Sequence, residues 1–255
     1  MRIQYASDLH LEFEGNRSWL SKNGLKPVGD ILILAGDITY LGVPDVFKCD
    51  FFDWCSKHFS QTLIVPGNHE FYGGFDVDET LSGFDYKVRD NVRYLNNQSA
   101  VIGDTELFLT TLWTKIDPIC LPAIQQGMND FRLARYKGKA LNASNVDDLH
   151  QRCLSWLDLA IACSVAKHKV VITHHCPTCR REFNNYPDSV LNSAFQVNLD
   201  AFIEHCGADC WIYGHTHFNG GSGMQIGATL LFSNQLGYVF HNEQLFFSSA
   251  AVVEL

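Results

Sequence analysis

Five stretches of the chain contain side chains able to hold a metal ion: Asp8-Leu9-His10, Gly36-Asp37, Asn68-His69-Glu70, His174-His175 and His215-Thr216-His217. Carboxylates, an amide oxygen and imidazoles suit manganese, iron, zinc or nickel, whereas a magnesium or calcium site would be nearly all oxygen. No thiolate is required. Two metals a few ångströms apart lower the pKa of a shared water and neutralise phosphoryl oxygens during in-line displacement. Asp37 is the residue expected to bridge such a pair. Two aspartates against two divalent cations leave the centre about two units positive, a local excess that attracts phosphate. It does so within a chain whose formal charge is -9 and whose pI is near 5.6.

The elements that must position these residues are short apolar runs. Residues 3–7, 31–35, 63–65, 170–173 and 211–213 each lead directly or within a few residues into one of the donor groups. Runs without alternation read as strands buried on both faces, and their carboxyl ends are where open α/β sheets keep their sites. Between them, residues 11–29 look less regular, and 43–59 has apolar residues at helical spacing (Val46, Phe47, Phe51, Trp54, Cys55 and Phe59), a crossover that implies parallel pairing. Residues 75–90 read as a second helix, weakened by Gly83, and 92–95 as a short strand. Strand composition at 99–113 with Gly103-Asp104 at its turn signals a hairpin. Helices are expected at 146–165 and 195–206, a strand at 209–213, and antiparallel strands at 224–226, 229–232 and 244–255.

Periodicity is lost from residue 115 to 143, where Pro118, Pro122, Gly127 and Gly138 punctuate the chain. Irregular segments of that length are functional lids or mobile. One domain over residues 1–255 is expected, with a lid-like insertion at about 115–145 and an irregular loop at about 176–193. With 255 residues and 46% hydrophobic content the chain can bury one sizeable core. No run approaches the ~18 apolar residues of a membrane span, and the amino terminus enters a strand with no basic-then-apolar leader, so a soluble cytoplasmic protein is expected. The negative charge disfavours nucleic-acid polymers, and a small substrate fits better. Nine cysteines, an odd number, read as reduced thiols. Cys176 and Cys179 have metal or redox spacing, but no second pair completes a four-cysteine site, and incidental thiols is the preferred reading over a redox or third-metal role.

In order and spacing, Asp8-Leu9-His10, Gly36-Asp37, Gly67-Asn68-His69-Glu70, His174 and Gly214-His215-Thr216-His217 closely resemble the motifs of the calcineurin-like metallophosphoesterases. The resemblance implies an α/β fold, a four-layer α-β-β-α sandwich of two packed mixed β-sheets flanked by helices. It implies two divalent transition metals, manganese favoured over iron, zinc or nickel. One would be held by Asp8, His10, Asp37 and His217, the other by Asp37, Asn68, His174 and His215. It further implies hydrolysis of a phosphate ester by attack of metal-bound hydroxide, with His69 as acid or electrostatic stabiliser. A small or nucleotide-like phosphodiester is the first expectation. A phosphomonoester or phosphoprotein is the second, and a non-catalytic scaffold of the same fold the third. The family often places an acidic residue three positions after the bridging aspartate to orient that histidine; Tyr40 stands there, leaving the partner of His69 open. Glu70 is expected to hydrogen-bond within its loop. His174 is preferred as ligand because it directly follows a strand, with His175 behind it or facing substrate, although a register shifted by one would exchange them. In the insertion, Asn129, Asp130 and Arg132 are candidates for substrate contact, with Arg132 or Arg135 as a phosphate clamp and an exposed lid surface as the plainer alternative.

Overall fold

The computed structural model describes residues 1–43 and 45–255. The first strands explain the apolar runs. In β1 (Arg2–Ala6) and β2 (Ile31–Leu34), successive side chains leave on opposite faces and both faces are covered. Ile3, Tyr5, Ile31 and Ile33 point into a layer shared with Leu107, Leu109, Val170, Ile172 and Ile212 of a second sheet. Leu32 and Leu34 point the other way, onto Leu20 of α1 (Glu14–Asn23) and Phe52 and Cys55 of α2 (Asp50–His58).

The chain continues through β3 (Thr62–Ile64), β4 (Phe84–Arg89) and β5 (Val92–Asn96), then β6 (Gln98–Ile102) and β7 (Thr105–Thr110). Next come α3 (Leu121–Gly127), α4 (Asp130–Leu133) and a small hairpin, β8 (Arg135–Tyr136) with β9 (Lys139–Ala140). Then follow α5 (Val146–Cys163), β10 (His168–Thr173), α6 (Asp200–His205), β11 (Cys210–Tyr213), β12 (Met224–Ile226), β13 (Thr229–Ser233) and β14 (Val252–Glu254). One six-stranded sheet has the order β14-β1-β2-β3-β5-β4 and the other β12-β13-β11-β10-β7-β6. Each has four parallel central strands and an antiparallel strand at either edge. Outside the second sheet, Phe108, Val171, Trp211 and Leu231 meet Leu157 and Ile161 of α5 and Ile203 of α6, which completes the expected four-layer sandwich.

Several local expectations change. Residues 11–29 contain α1; the helix expected over 43–59 begins at Asp50 after a 3-10 turn at Val46–Lys48, and Pro44 lies outside the described residues. The expected helix at 75–90 is a 3-10 turn at Val77–Thr80 followed by strand β4. Phe84, Tyr86 and Val88 alternate with polar residues, Gly83 breaks the chain at φ 85°, and β5 supplies an edge on which that alternation pairs antiparallel. The helix at 195–206 is confined to Asp200–His205. Of residues 244–255 only Val252–Glu254 is a strand, and 229–233 pairs antiparallel with β12 but parallel with β11.

The insertion is folded. Ile124, Phe131 and Tyr136 form a cluster with Phe71, Trp113 and Leu149, so residues without helical or strand periodicity still enclose a small core of their own.

Candidate metal centre

Loops after β1, β2, β3, β10 and β11 converge at one end of the sandwich, because parallel strands bring all their carboxyl ends to the same edge. Asp8, His10, Asp37, His215 and His217 have φ of 55°, 46°, 55°, 74° and 50°, a left-handed conformation that costs about 1–3 kcal/mol per non-glycine residue. The loops hold one another in it. The Asp8 and His10 amides donate to the Gly36 and Asp37 carbonyls at 2.9 Å each, and the His215 amide donates to the Asp8 carboxylate at 3.1 Å. Glycine is required where loops touch. A Cβ on Gly36 would collide with the His174 ring, and one on Gly67 with the Asp37 carboxylate.

Two donor clusters result. One ligand atom from each of Asp8, His10, Asp37 and His217 lies within 4.8 Å of the others, and the same is true of Asp37, His174 and His215. Asn68 joins the second through Oδ1, 3.0 Å from His174 Nε2, while its amide nitrogen donates to the Tyr72 hydroxyl. His174 Nδ1 donates to the Ala35 carbonyl at 2.9 Å, so in the neutral ring Nε2 is bare. That bare nitrogen faces Asn68 Oδ1, His215 Nδ1 at 3.1 Å and Asp37 Oδ1 at 3.4 Å. In the other cluster His10 Nδ1 is taken by Glu12 at 2.9 Å and His217 Nδ1 by Glu243 at 2.6 Å, which leaves their Nε2 atoms facing each other at 3.1 Å. In the neutral rings lone pairs would face lone pairs and carboxylates, an arrangement that needs a positive charge between them, a proton or a metal ion. The donor set and its orientation therefore fit cations.

The field supports this fit. Burial alone would depress His217 and His174, but Asp8 and Glu243 lift the first to about 10, and Asp37 with Asp8 lifts the second to about 9. Burial and neighbouring histidines push His215 well below its usual value. Asp37 stays ionised despite burial because His174, His69 and His10 surround it, and its carboxyl lies well below the usual range.

His69 is buried beside this centre, its amide donating to Asp37 Oδ1 at 2.9 Å. The partner that the sequence left open is Glu12, whose Oε1 lies 2.8 Å from His69 Nδ1. Tyr40 only packs nearby, its ring 6.5 Å from that of His69. On the other side, His69 Nε2 is 3.1 Å from the Tyr238 hydroxyl. Burial would lower His69, yet Asp37 and Glu12 outweigh it and raise its pKa. Glu70 ties the motif loops together, accepting from the amides of Gly67 at 2.7 Å, Ile38 at 2.8 Å and Asp37 at 3.0 Å.

Of the remaining candidates, Asn129 and Asp130 line a cavity of about 380 Å³ over the centre. Arg132 is exposed and is not in that lining; its guanidinium binds the Gln126 carbonyl and Asn129 Oδ1. His175 lies beneath the site rather than in the cavity, its Nδ1 3.1 Å from the Thr111 carbonyl and its ring packed on His215 and Trp113. It is thus His174, not its neighbour, whose Nε2 reaches Asp37. Cys176 is buried and Cys179 exposed, both as free thiols.

Glu12, Tyr238 and Glu243 were not foreseen. Glu12 had a signal: Asp8, His10 and Glu12 alternate with the buried Leu9 and Leu11, so the period-two pattern runs two residues past the motif. Tyr238 and Glu243 follow β13 and have none.

The chain belongs to the calcineurin-like phosphoesterase family, whose pattern it matches over residues 1–219. It is 29% identical over 266 residues to an uncharacterized protein of Acanthamoeba polyphaga mimivirus, covering 93% of this chain and 92% of that protein. The solved structure of a phosphopantetheinyl hydrolase from Mycobacterium tuberculosis shares the fold, with TM-score 0.73 and 17% identity over 98% of this chain and 95% of the other. Among the described residues no helix is long and apolar enough to cross a membrane.

Proposed function

We propose that this chain is a binuclear metal-dependent phosphoesterase acting on a small, singly phosphorylated ester, with a phosphodiester as the preferred class. The observation that carries the reading is the pair of imidazole nitrogens facing each other at 3.1 Å in both donor clusters, with Asp37 between them. Asp8, His10, Asp37 and His217 would hold one metal, and Asp37, Asn68, His174 and His215 the other. When bound, such ions neutralise phosphoryl oxygens and make water a stronger nucleophile.

The chain's own residues supply the rest. Glu12 keeps a proton on His69 Nδ1 and turns Nε2 towards the cavity, where a raised pKa lets it carry a second proton. From Nε2 that proton can pass to the departing oxygen, general-acid help worth about 10²–10⁴-fold. The Tyr238 hydroxyl, hydrogen-bonded to Nε2, holds the ring in that direction.

Charge in the cavity bears on the substrate. Its described lining includes the carboxylates of Asp130 and Glu243 and the amides of Asn129, Asn184 and Asn192, but no lysine or arginine. A monoester carries between about one and a half and two negative charges at neutral pH, a diester one. With cations confined to the metal centre, the less charged substrate meets less repulsion from those carboxylates. The structural neighbour is by name a hydrolase of a phosphopantetheinyl group, and a small organic ester is the class this cavity suits. The test is to strip the metals, reconstitute separately with manganese, iron, nickel and zinc, and compare p-nitrophenyl phosphate with its bis-ester. Restored turnover with a bis-ester preference is expected. A monoester preference would transfer the assignment to phosphomonoesters, and no turnover with any metal would overturn the reading.

A further inference from the structure

We infer that Glu12 positions His69 for the leaving group through the same carboxylate oxygen that orients His10 towards the metal site. The inference rests on the phosphoesterase reading above and extends it to a residue outside the motif pattern. Glu12 Oε1 lies 2.8 Å from His69 Nδ1 and 2.9 Å from His10 Nδ1, and the two rings meet edge-on with centroids 4.4 Å apart. An ionised carboxylate only accepts, so both Nδ1 atoms carry hydrogen. Two consequences follow from one oxygen. His10 Nε2 is left bare towards His217 and Asp37, and His69 Nε2 is left to the opposite side of its ring, against the Tyr238 hydroxyl, both residues lining the cavity.

The arrangement is built, not incidental. Leu9 and Leu11 anchor the segment in the core, with Asp8 and His10 fully buried between and beside them. Arg17 fixes the turn by donating to the carbonyls of Leu11 and Glu12. The Phe13 ring, 5.9 Å from His10 and 6.4 Å from His69, covers the pair. The Glu12 side chain is only 6% exposed, and in such surroundings a charge-assisted hydrogen bond is stronger than in water. Its second oxygen is buried without a partner among the described residues.

A positioning residue is separable from a merely structural one by a leaving-group cycle. Glu12→Gln, His69→Ala and the double variant are assayed at saturating manganese, with bound metal measured directly, on a p-nitrophenyl and an alkyl ester of the same phosphate class. Expected is a wild-type metal content once manganese is raised about 10–100-fold to offset the weakened orientation of His10. Turnover of the alkyl ester should fall by about 10²-fold or more in Glu12→Gln and in His69→Ala, with little further loss in the double variant, because the two act as a unit. Turnover of the p-nitrophenyl ester, which leaves without a proton, should fall less than about tenfold. Equal losses on both esters in Glu12→Gln, or losses that multiply with His69→Ala, would overturn the inference while leaving the phosphoesterase intact. Equal losses on both esters in His69→Ala itself would instead remove the acid role of His69, and this inference with it. Glu12→Asp, which keeps the charge one methylene short, takes the same cycle if the glutamine variant does not fold.

Discussion

A neutral imidazole has one donor and one acceptor nitrogen, and in this site the donor side is committed to a carbonyl or carboxylate for His10, His174 and His217. The acceptor sides then point inward, and Asp37 contributes an oxygen to each cluster. Removing its charge should therefore disturb both metal positions at once. Asp37→Asn is expected to lose stoichiometric metal at both, measured by elemental analysis of the desalted protein, and retention of two full equivalents would contradict bridging. His69→Ala makes the opposite prediction: its side chain is in neither proposed ligand set, so both metals should remain. Turnover of an ester with a poor leaving group should nevertheless drop by about 10²–10⁴-fold, the usual contribution of a placed general acid. An unchanged rate would remove His69 from the chemistry.

Among elements, what was legible in the sequence follows from burial. Strands β1, β2, β3, β10 and β11 are covered on both faces, so their apolar runs mark them and the donors after them mark the site. Strand β4 departs from the helix expected there because its partner β5, not its own sequence, selects the extended form. Tyr238 and Glu243 were invisible because they reach the site only through the pairing of β13 beside β11 and the bridge of Ser7 to Gln235, tertiary facts without a local pattern. The insertion was opaque for a similar reason: its core is completed by Trp113 and α5, outside its own span. That core also positions part of the cavity wall, since Phe131 packs there next to Asp130, which lines the cavity. Phe131→Ala should cost about 3–5 kcal/mol of stability, as removal of a buried phenyl ring does. It should raise KM several-fold while bound metal stays constant, a split readable by thermal unfolding, steady-state kinetics and elemental analysis. A raised KM with lost metal would place the insertion's influence on the ligand loops instead.

On the scale of the whole molecule, the centre makes stability depend on metal and pH in opposite ways. In the metal-free protein His174 and His217 hold protons up to about 9 and about 10, whereas in the unfolded chain they titrate near the ordinary histidine value of 6.5. The native state therefore binds more protons than the unfolded state above that value, and stability must fall as pH rises through these windows. Glu70, lifted to about 8 by burial and by Asp37 from an ordinary 4.5, adds in the same direction at lower pH. The depressed Asp37 contributes fully above its ordinary 3.8 and is flat here. His10, His175 and His215, all depressed chiefly by burial, are neutral in both states above 6.5 and cost stability only below it. In the proposed ligand sets divalent ions would take the places of those protons, and protons compete with them less as pH rises, so metal binding should strengthen as the apoprotein weakens. The expected result is a Tm of chelator-treated protein that declines between about pH 7 and pH 9.5, and a gap to the manganese-loaded protein that widens over the same range. A gap independent of pH would mean that the ions and the protons do not share His174 and His217, and the ligand assignment of both would fall.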